Sequence, residues 1–144
     1  MTSDVTDPSY WNDQSDGRLP ALLGITVIDA NPDMFRSRLA VRPDLLAPNG
    51  FLHAATIIAL ADTTCGFGSY ANLPDGAAGF TTVELKSNFL GTARDGTIEC
   101  IAIPSHIGRS TQVWDAKVTI GTSDKPIALF RCTQMVLWPT APKA

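Results

Sequence analysis

Between Phe51 and about Tyr70 the chain carries one long helical pattern. Its apolar residues, Leu52, Ala55, Ile58, Ala59, Leu60 and Phe67, run almost all the way round. A helix of that kind has to be covered on most sides, so the remainder of the chain is expected to wrap it. Ala47-Pro48-Asn49-Gly50 supplies the bend before it. The most apolar stretch, Phe51 to Ala61, is too short to cross a bilayer and runs directly into Asp62 and two threonines. This predicts a core element and no membrane span.

The flanking segments read as strands. Gly24 to Ala30 and Met34 to Val41 are separated by the turn Asn31-Pro32-Asp33. After Asn72-Leu73-Pro74-Asp75-Gly76, four further segments alternate: Gly79 to Leu90, Thr97 to Pro104, Arg109 to Ile120 and Pro126 to Trp138. Short turns join them, which favours an antiparallel meander. Trp114, Ala116, Val118 and Ile120 share one face, as do Ala128, Phe130, Cys132, Val136 and Trp138. The economical solution is an α+β fold, an antiparallel β-sheet wrapped around one long central helix. At 144 residues this is one domain. Its expected limits are 18–140, with a flexible N-terminal leader over 1–17 to which no function is assigned, and a tail over 141–144.

Composition narrows the function. The chain is 44% hydrophobic with a formal net charge of −3, too apolar for a disordered chain and lacking the basic face a nucleic-acid binder needs. Three cysteines, Cys65, Cys100 and Cys132, have no CxxC spacing and suggest reduced thiols rather than disulfides. With two histidines and no ligand spacing, no metal site is expected. The first residues are acidic and polar where an export signal is basic and then apolar, so a cytoplasmic location is expected.

Asp62 is the anomaly. A carboxylate within an apolar helix costs several kcal/mol in desolvation unless it is paired, hydrogen-bonded or protonated. Two readings are open: a cleft with chemistry, or a polar stripe facing water with Thr63 and Thr56. The helix start supplies free backbone N–H groups at the positive end of the dipole, where that of Ala54 is placed to stabilise an oxyanion. His53 is either an entrance-packing residue or an acid-base group. Nine residues of helix span about 13.5 Å, so Asp62 and its own helix entrance cannot flank one small reacting group. The same features on neighbouring subunits can.

Four motifs carry a family resemblance: Gly50-x-x-His53, Leu60-Ala61-Asp62, Thr82 through Leu90, and Gly108-Arg109-Ser110-Thr111-Gln112-Val113-Trp114. Over roughly Ile25 to Trp138 the chain resembles the hotdog-fold acyl-CoA thioesterases of the phenylacetate-degradation type, related to the 4-hydroxybenzoyl-CoA thioesterases. The resemblance implies hydrolysis of an acyl-CoA at a dimer interface, with dimers pairing further, and no cofactor. It makes Asp62 nucleophile or general base, the Ala54 N–H the oxyanion donor, and Thr82 a residue that positions the water or the carboxylate. Arg94 and Arg109 are candidates for the CoA phosphates or simply solvated, and Ser87, Asn88 and Phe89 lie on the strand that would line the CoA channel.

Two departures stand out. The family usually has His-Gly-Gly where this chain has His53-Ala54-Ala55, which narrows the approach of the thioester. The family's site Asn or Gln falls at Ala47; Asn49 either replaces that amide or forms an Asn-Gly turn. Rival readings are a hotdog hydratase or dehydratase using His53 and Asp62, a non-catalytic acyl-CoA-binding dimer, and a cysteine enzyme using Cys65 and His106.

Overall fold

The computed structural model describes residues 4–141. The first three leader residues and positions 142–144 of the expected tail lie outside the described residues. Two short helices, α1 (Pro8–Ser15) and α2 (Leu19–Leu23), precede strands β1 (Thr26–Asn31) and β2 (Met34–Ala40). A 3-10 turn at Pro43–Leu45 leads to the long helix α3 (Ala54–Ala71). Then come β3 (Gly79–Phe89), β4 (Thr97–Ile107), β5 (Thr111–Ile120) and β6 (Pro126–Leu137). The strands form one antiparallel sheet in the order β1-β2-β4-β5-β6-β3. The sheet curls around α3, as the pattern of one apolar helix among alternating strands requires.

Residue types explain the packing. The inner face of the sheet buries Phe35, Leu39, Ile98, Cys100, Trp114 and Val118 completely. Against it α3 lays Ile57, Leu60, Ala61 and Cys65, spaced by three and four residues. Hydroxyls on the buried part of the helix are satisfied by carbonyls: Thr56 Oγ1 donates to Leu45 O at 2.9 Å, and Thr64 Oγ1 donates to Leu60 O at 2.7 Å. Near the helix C-terminus a Cβ on Gly68 would lie 2.5 Å from the Trp114 ring, so only glycine lets β5 approach so closely. Trp114 Nε1 donates to Gln112 Oε1, and Gln112 Nε2 donates to Ser69 O and Asn72 O, tying the helix end to β5.

Several expectations need correction. The helix begins at Ala54, because residues 49–53 are spent on a turn, a Leu46–Leu52 bridge and a cap. Its coverage is as expected: from Thr56 to Ser69 every residue is buried or half-buried, and the exposed positions, Ala54, Ala55 and Tyr70, lie at its ends. Ile120 is 45% exposed, at a strand end past an irregularity between Val118 and Thr119. Strand β4 continues through Pro104, whose missing donor is accommodated by a register shift between Pro104 and His106.

The leader expected to be loose contains α1. Asp7 accepts a hydrogen bond from Ser9 N at 2.9 Å and Pro8 occupies the first turn, a sound N-terminus for a short helix. Docking does the rest. Trp11, only 3% exposed, stacks on Phe67 at 4.9 Å and meets Phe35 edge-on at 5.7 Å. The Asn12 side chain bonds both Val27 N and Val27 O, pinning α1 to β1.

Candidate active site

Asp62 sits midway along α3 in a cleft of about 380 Å³. From α3 the cleft takes Asp62, Thr63 and Gly66; β3 adds Phe80 and Thr82. The structure therefore brings Asp62 and Thr82 together. Of the polar stripe expected beside Asp62, Thr56 is excluded, being buried and bonded to a carbonyl, while Thr63 lines the cleft with Asp62. Asp62 Oδ1 is buried without a hydrogen-bond partner, and none of the ion pairs among the described residues includes Asp62. Burial holds its pKa above the ordinary 3.8, since the anion loses hydration that nothing in the subunit replaces. A carboxylate short of hydrogen bonds is a ready acceptor for a water or a group approaching from the cleft.

The helix entrance lies elsewhere. Asn49 Oδ1 accepts from Phe51 N at 3.1 Å, and Gly50 takes a positive φ of 85°, so Asn49 forms the Asn-Gly turn. His53 N donates to Leu45 O, and His53 Nδ1 accepts from Ala55 N at 2.9 Å, making this histidine the N-cap. Thr56 N and Ile57 N both donate to His53 O. At the start of the helix the Ala54 N–H has no acceptor among the described residues, at the positive end of the dipole. His53 lines a second cleft of about 370 Å³ with Asp44, Thr56 and Ala59. From Ala54 to Asp62 is eight residues, about 12 Å along the axis. Asp62 and His53 thus line separate clefts.

The residues expected at the CoA are also dispersed. The Arg94 guanidinium lies 4.2 Å over the Phe51 ring, and Leu52 N donates to Ala93 O, so Arg94 stands beside the helix entrance. Arg109 lies 4.2 Å over Trp138 in the β4–β5 turn, at the end of β5 that Gln112 ties to the C-terminus of α3. Arg94 thus stands near the entrance of α3 and Arg109 toward its C-terminal end. On β3, Ser87 Oγ is buried without a partner while Asn88 and Phe89 are exposed.

Cys65 is one turn beyond Asp62 and completely buried. Burial, with the neighbouring Cys132 thiol, pushes its pKa well up, which leaves an inert thiol rather than a nucleophile. Among the described residues no group of His, Cys, Asp and Glu is placed to hold a metal ion. No helix there is long and apolar enough to cross a membrane. Sequence reasoning did not assign to the site several residues that line the cleft, among them Tyr10, Trp11, Gln14 and Phe80. The aromatic pair at 10 and 11 in an otherwise polar leader was the available signal.

Residues 49–127 match the thioesterase superfamily. The match spans more than half of the chain, and the chain belongs to that superfamily: its fold is the hotdog and its chemistry is thioester hydrolysis. The 1,4-dihydroxy-2-naphthoyl-CoA hydrolase of Listeria monocytogenes is 29% identical over 115 residues, 80% of this chain and 92% of the relative. A mutant thioesterase from Pseudomonas aeruginosa superposes with a TM-score of 0.85 at 27% identity, covering 91% of this chain and 94% of the other. A thioesterase from Haemophilus influenzae reaches 0.88 at 22% identity over 99% and 98% of the two chains, a likeness that speaks for the fold alone.

Proposed function

We propose that this protein hydrolyses an acyl-CoA thioester to the free acid and CoA at sites shared between two subunits. The observation that carries the reading is the separation of the two half-sites: a desolvated, unpartnered carboxylate in one cleft and a free helix N–H about 12 Å away along the same helix. Chemistry at one carbonyl needs both within hydrogen-bond reach, and a second copy supplies the missing half. Asp62 takes the proton of a water held near Thr82 as that water attacks the carbonyl carbon, or itself attacks that carbon to form an acyl-carboxylate anhydride that a water then hydrolyses to the free acid. The Ala54 N–H of the other subunit holds the oxyanion, and its collapse expels the CoA thiolate. Arg94, Arg109 and the Ser87-Asn88-Phe89 segment are assigned to the CoA moiety.

The open edge of β3 supports the dimer. This strand is paired on one side only, with β6, and exposes Val83, Leu85 and Phe89. A long edge with exposed apolar side chains is a template for another strand. Pairing of dimers and a cytoplasmic site of action belong to the same proposal. A panel of aryl- and alkyl-CoA thioesters with a thiol-reactive dye tests it. Wild type releases CoA, and Asp62→Asn loses roughly a hundred- to ten-thousandfold in kcat. Equal rates for the two proteins overturn the role of Asp62.

A further inference from the structure

The inner face of the sheet carries a row of three polar side chains across neighbouring strands. The register sets Gln112 of β5 opposite Gln134 of β6, and Gln134 opposite Thr82 of β3. On either side of that row the same face of β6 presents Cys132 and Val136, both buried. The row runs from the C-terminal end of α3, where Gln112 is anchored, to the cleft that Thr82 shares with Asp62. Its middle member is the anomaly. Gln134 is 0% exposed, and neither its Oε1 nor its Nε2 has a hydrogen-bond partner among the described residues.

A buried amide without partners bears its full desolvation penalty, which an apolar side chain of the same shape would not. The neighbours of Gln134 narrow what it serves. Gln112 has both amide hydrogens committed: its Nε2 donates to Ser69 O and Asn72 O, and its Oε1 accepts from Trp114 Nε1 at 2.8 Å. Thr82 is different. No hydrogen bond among the described residues engages its hydroxyl, and it lines the cleft with Asp62, whose Oδ1 also lacks a partner. Residues directly opposite on one face of an antiparallel pair hold their Cβ atoms about 4.5–5.5 Å apart, so a change of rotamer closes the Gln134–Thr82 contact. Just after Thr82 the ladder shifts register before Glu84, and Val83, within the irregularity, is 51% exposed. A bulge of this kind re-aims side chains. It lets Thr82 face Gln134 while Leu85 and Ser87, further along, pair with Cys132 and Phe130 of the same inner row.

Resting on the function proposed above, we propose that Gln134 is a positioning residue for the hydrolytic water, acting through Thr82. Gln134 Oε1 accepts a hydrogen bond from the Thr82 hydroxyl, which leaves the lone pairs of Thr82 Oγ1 toward the cleft. A water there donates one hydrogen to Asp62 and the other to Thr82, so that its own lone pair is directed at the thioester carbon. Without the amide, the Thr82 hydroxyl is free to rotate and to donate to Asp62, in competition with the water. The contribution is one of orientation, and it is read in kcat rather than in KM.

The test measures CoA release by the full chain from benzoyl-CoA and hexanoyl-CoA for wild type, Gln134→Met, Thr82→Val and the double variant. Met fills nearly the volume of Gln, so Gln134→Met removes two unpartnered polar atoms and unfolds at a denaturant midpoint equal to or above that of wild type. Its kcat falls about five- to tenfold, the worth of one neutral hydrogen bond, while KM stays within about twofold. In the Thr82→Val background the same substitution costs nothing further, because the hydroxyl that Gln134 orients is gone. Gln134→Leu passes through the same cycle if the Met variant does not fold. Unchanged kcat on replacing Gln134, or an equal loss with and without the Thr82 hydroxyl, overturns the assignment, and the thioesterase reading stands if Asp62→Asn still loses turnover. Absence of CoA release from every thioester of the panel, with Asp62→Asn no different, overturns the function itself.

Discussion

The middle of α3 and its first turn are eight residues apart and physically opposite. At the first turn almost every polar group is spent: Asn49 closes a turn, His53 accepts from Ala55 N, Leu52 N and His53 N find carbonyls, and the Ala54 N–H is left over. In the middle, Asp62 Oδ1 is buried with nothing to accept from. One region is an organised surplus donor and the other a surplus acceptor. Each is costly or idle alone, and it is their complementarity that the proposed shared site uses.

The sharpest way to break the comparison removes the surplus donor without disturbing the helix. Ala54 is the first helical residue, where proline fits, and His53 already has the extended backbone, ψ 135°, that a following proline demands. Ala54→Pro therefore folds like wild type by circular dichroism and loses about a hundred- to thousandfold in kcat, as expected for one oxyanion donor. Mixing it with Asp62→Asn under conditions that exchange subunits restores about a quarter of the sites, since half of the dimers are then mixed and each has one intact site. No recovery in verified mixed dimers would place both half-reactions in one subunit.

Smaller effects sharpen the contrast from the stability side. Gly68→Ala places a Cβ against the Trp114 ring and costs about 1–3 kcal/mol in chemical denaturation, despite alanine's better helix propensity. Loss of the His53 cap in His53→Ala costs about 1 kcal/mol, and if the imidazole is structural, kcat/KM stays close to wild type.

Asp62 gives the last test through its pH dependence. Its folded pKa lies above the unfolded value because of desolvation, so the native state binds the proton more tightly. The contribution to stability is then fully present below the unfolded pKa and lost as pH rises through the folded one. Consequently Asp62→Asn is more stable than wild type at neutral pH in denaturant titrations, while inactive. The acid limb of wild-type kcat/KM falls above the ordinary carboxylate value of 3.8.

How much of this was legible in the sequence differs by element. Residues 51–70 announced a covered helix, and alternation announced the strands, because burial imposes periods of 3.6 and 2.0 on apolar residues. Asp62 announced itself as a charge where that pattern forbids one. Helix α1 did not: residues 8–15 carry no apolar stripe, and only the docking of Trp11 against Phe35 and Phe67, from elements far along the chain, makes the segment ordered. The role of Asn49 was equally open until its Oδ1 met Phe51 N.

By itself, then, the sequence determined the single wrapped helix, the antiparallel strands and the carboxylate at position 62, all of them consequences of local patterning and of the energetic oddity of a buried charge. Only the tertiary structure decided that Asp62 shares its cleft with Thr82 and with the leader's aromatics, and that His53 faces a different one. Those are facts of long-range packing. The strand order β1-β2-β4-β5-β6-β3 sets which residues meet across the curled sheet, and no local pattern encodes it.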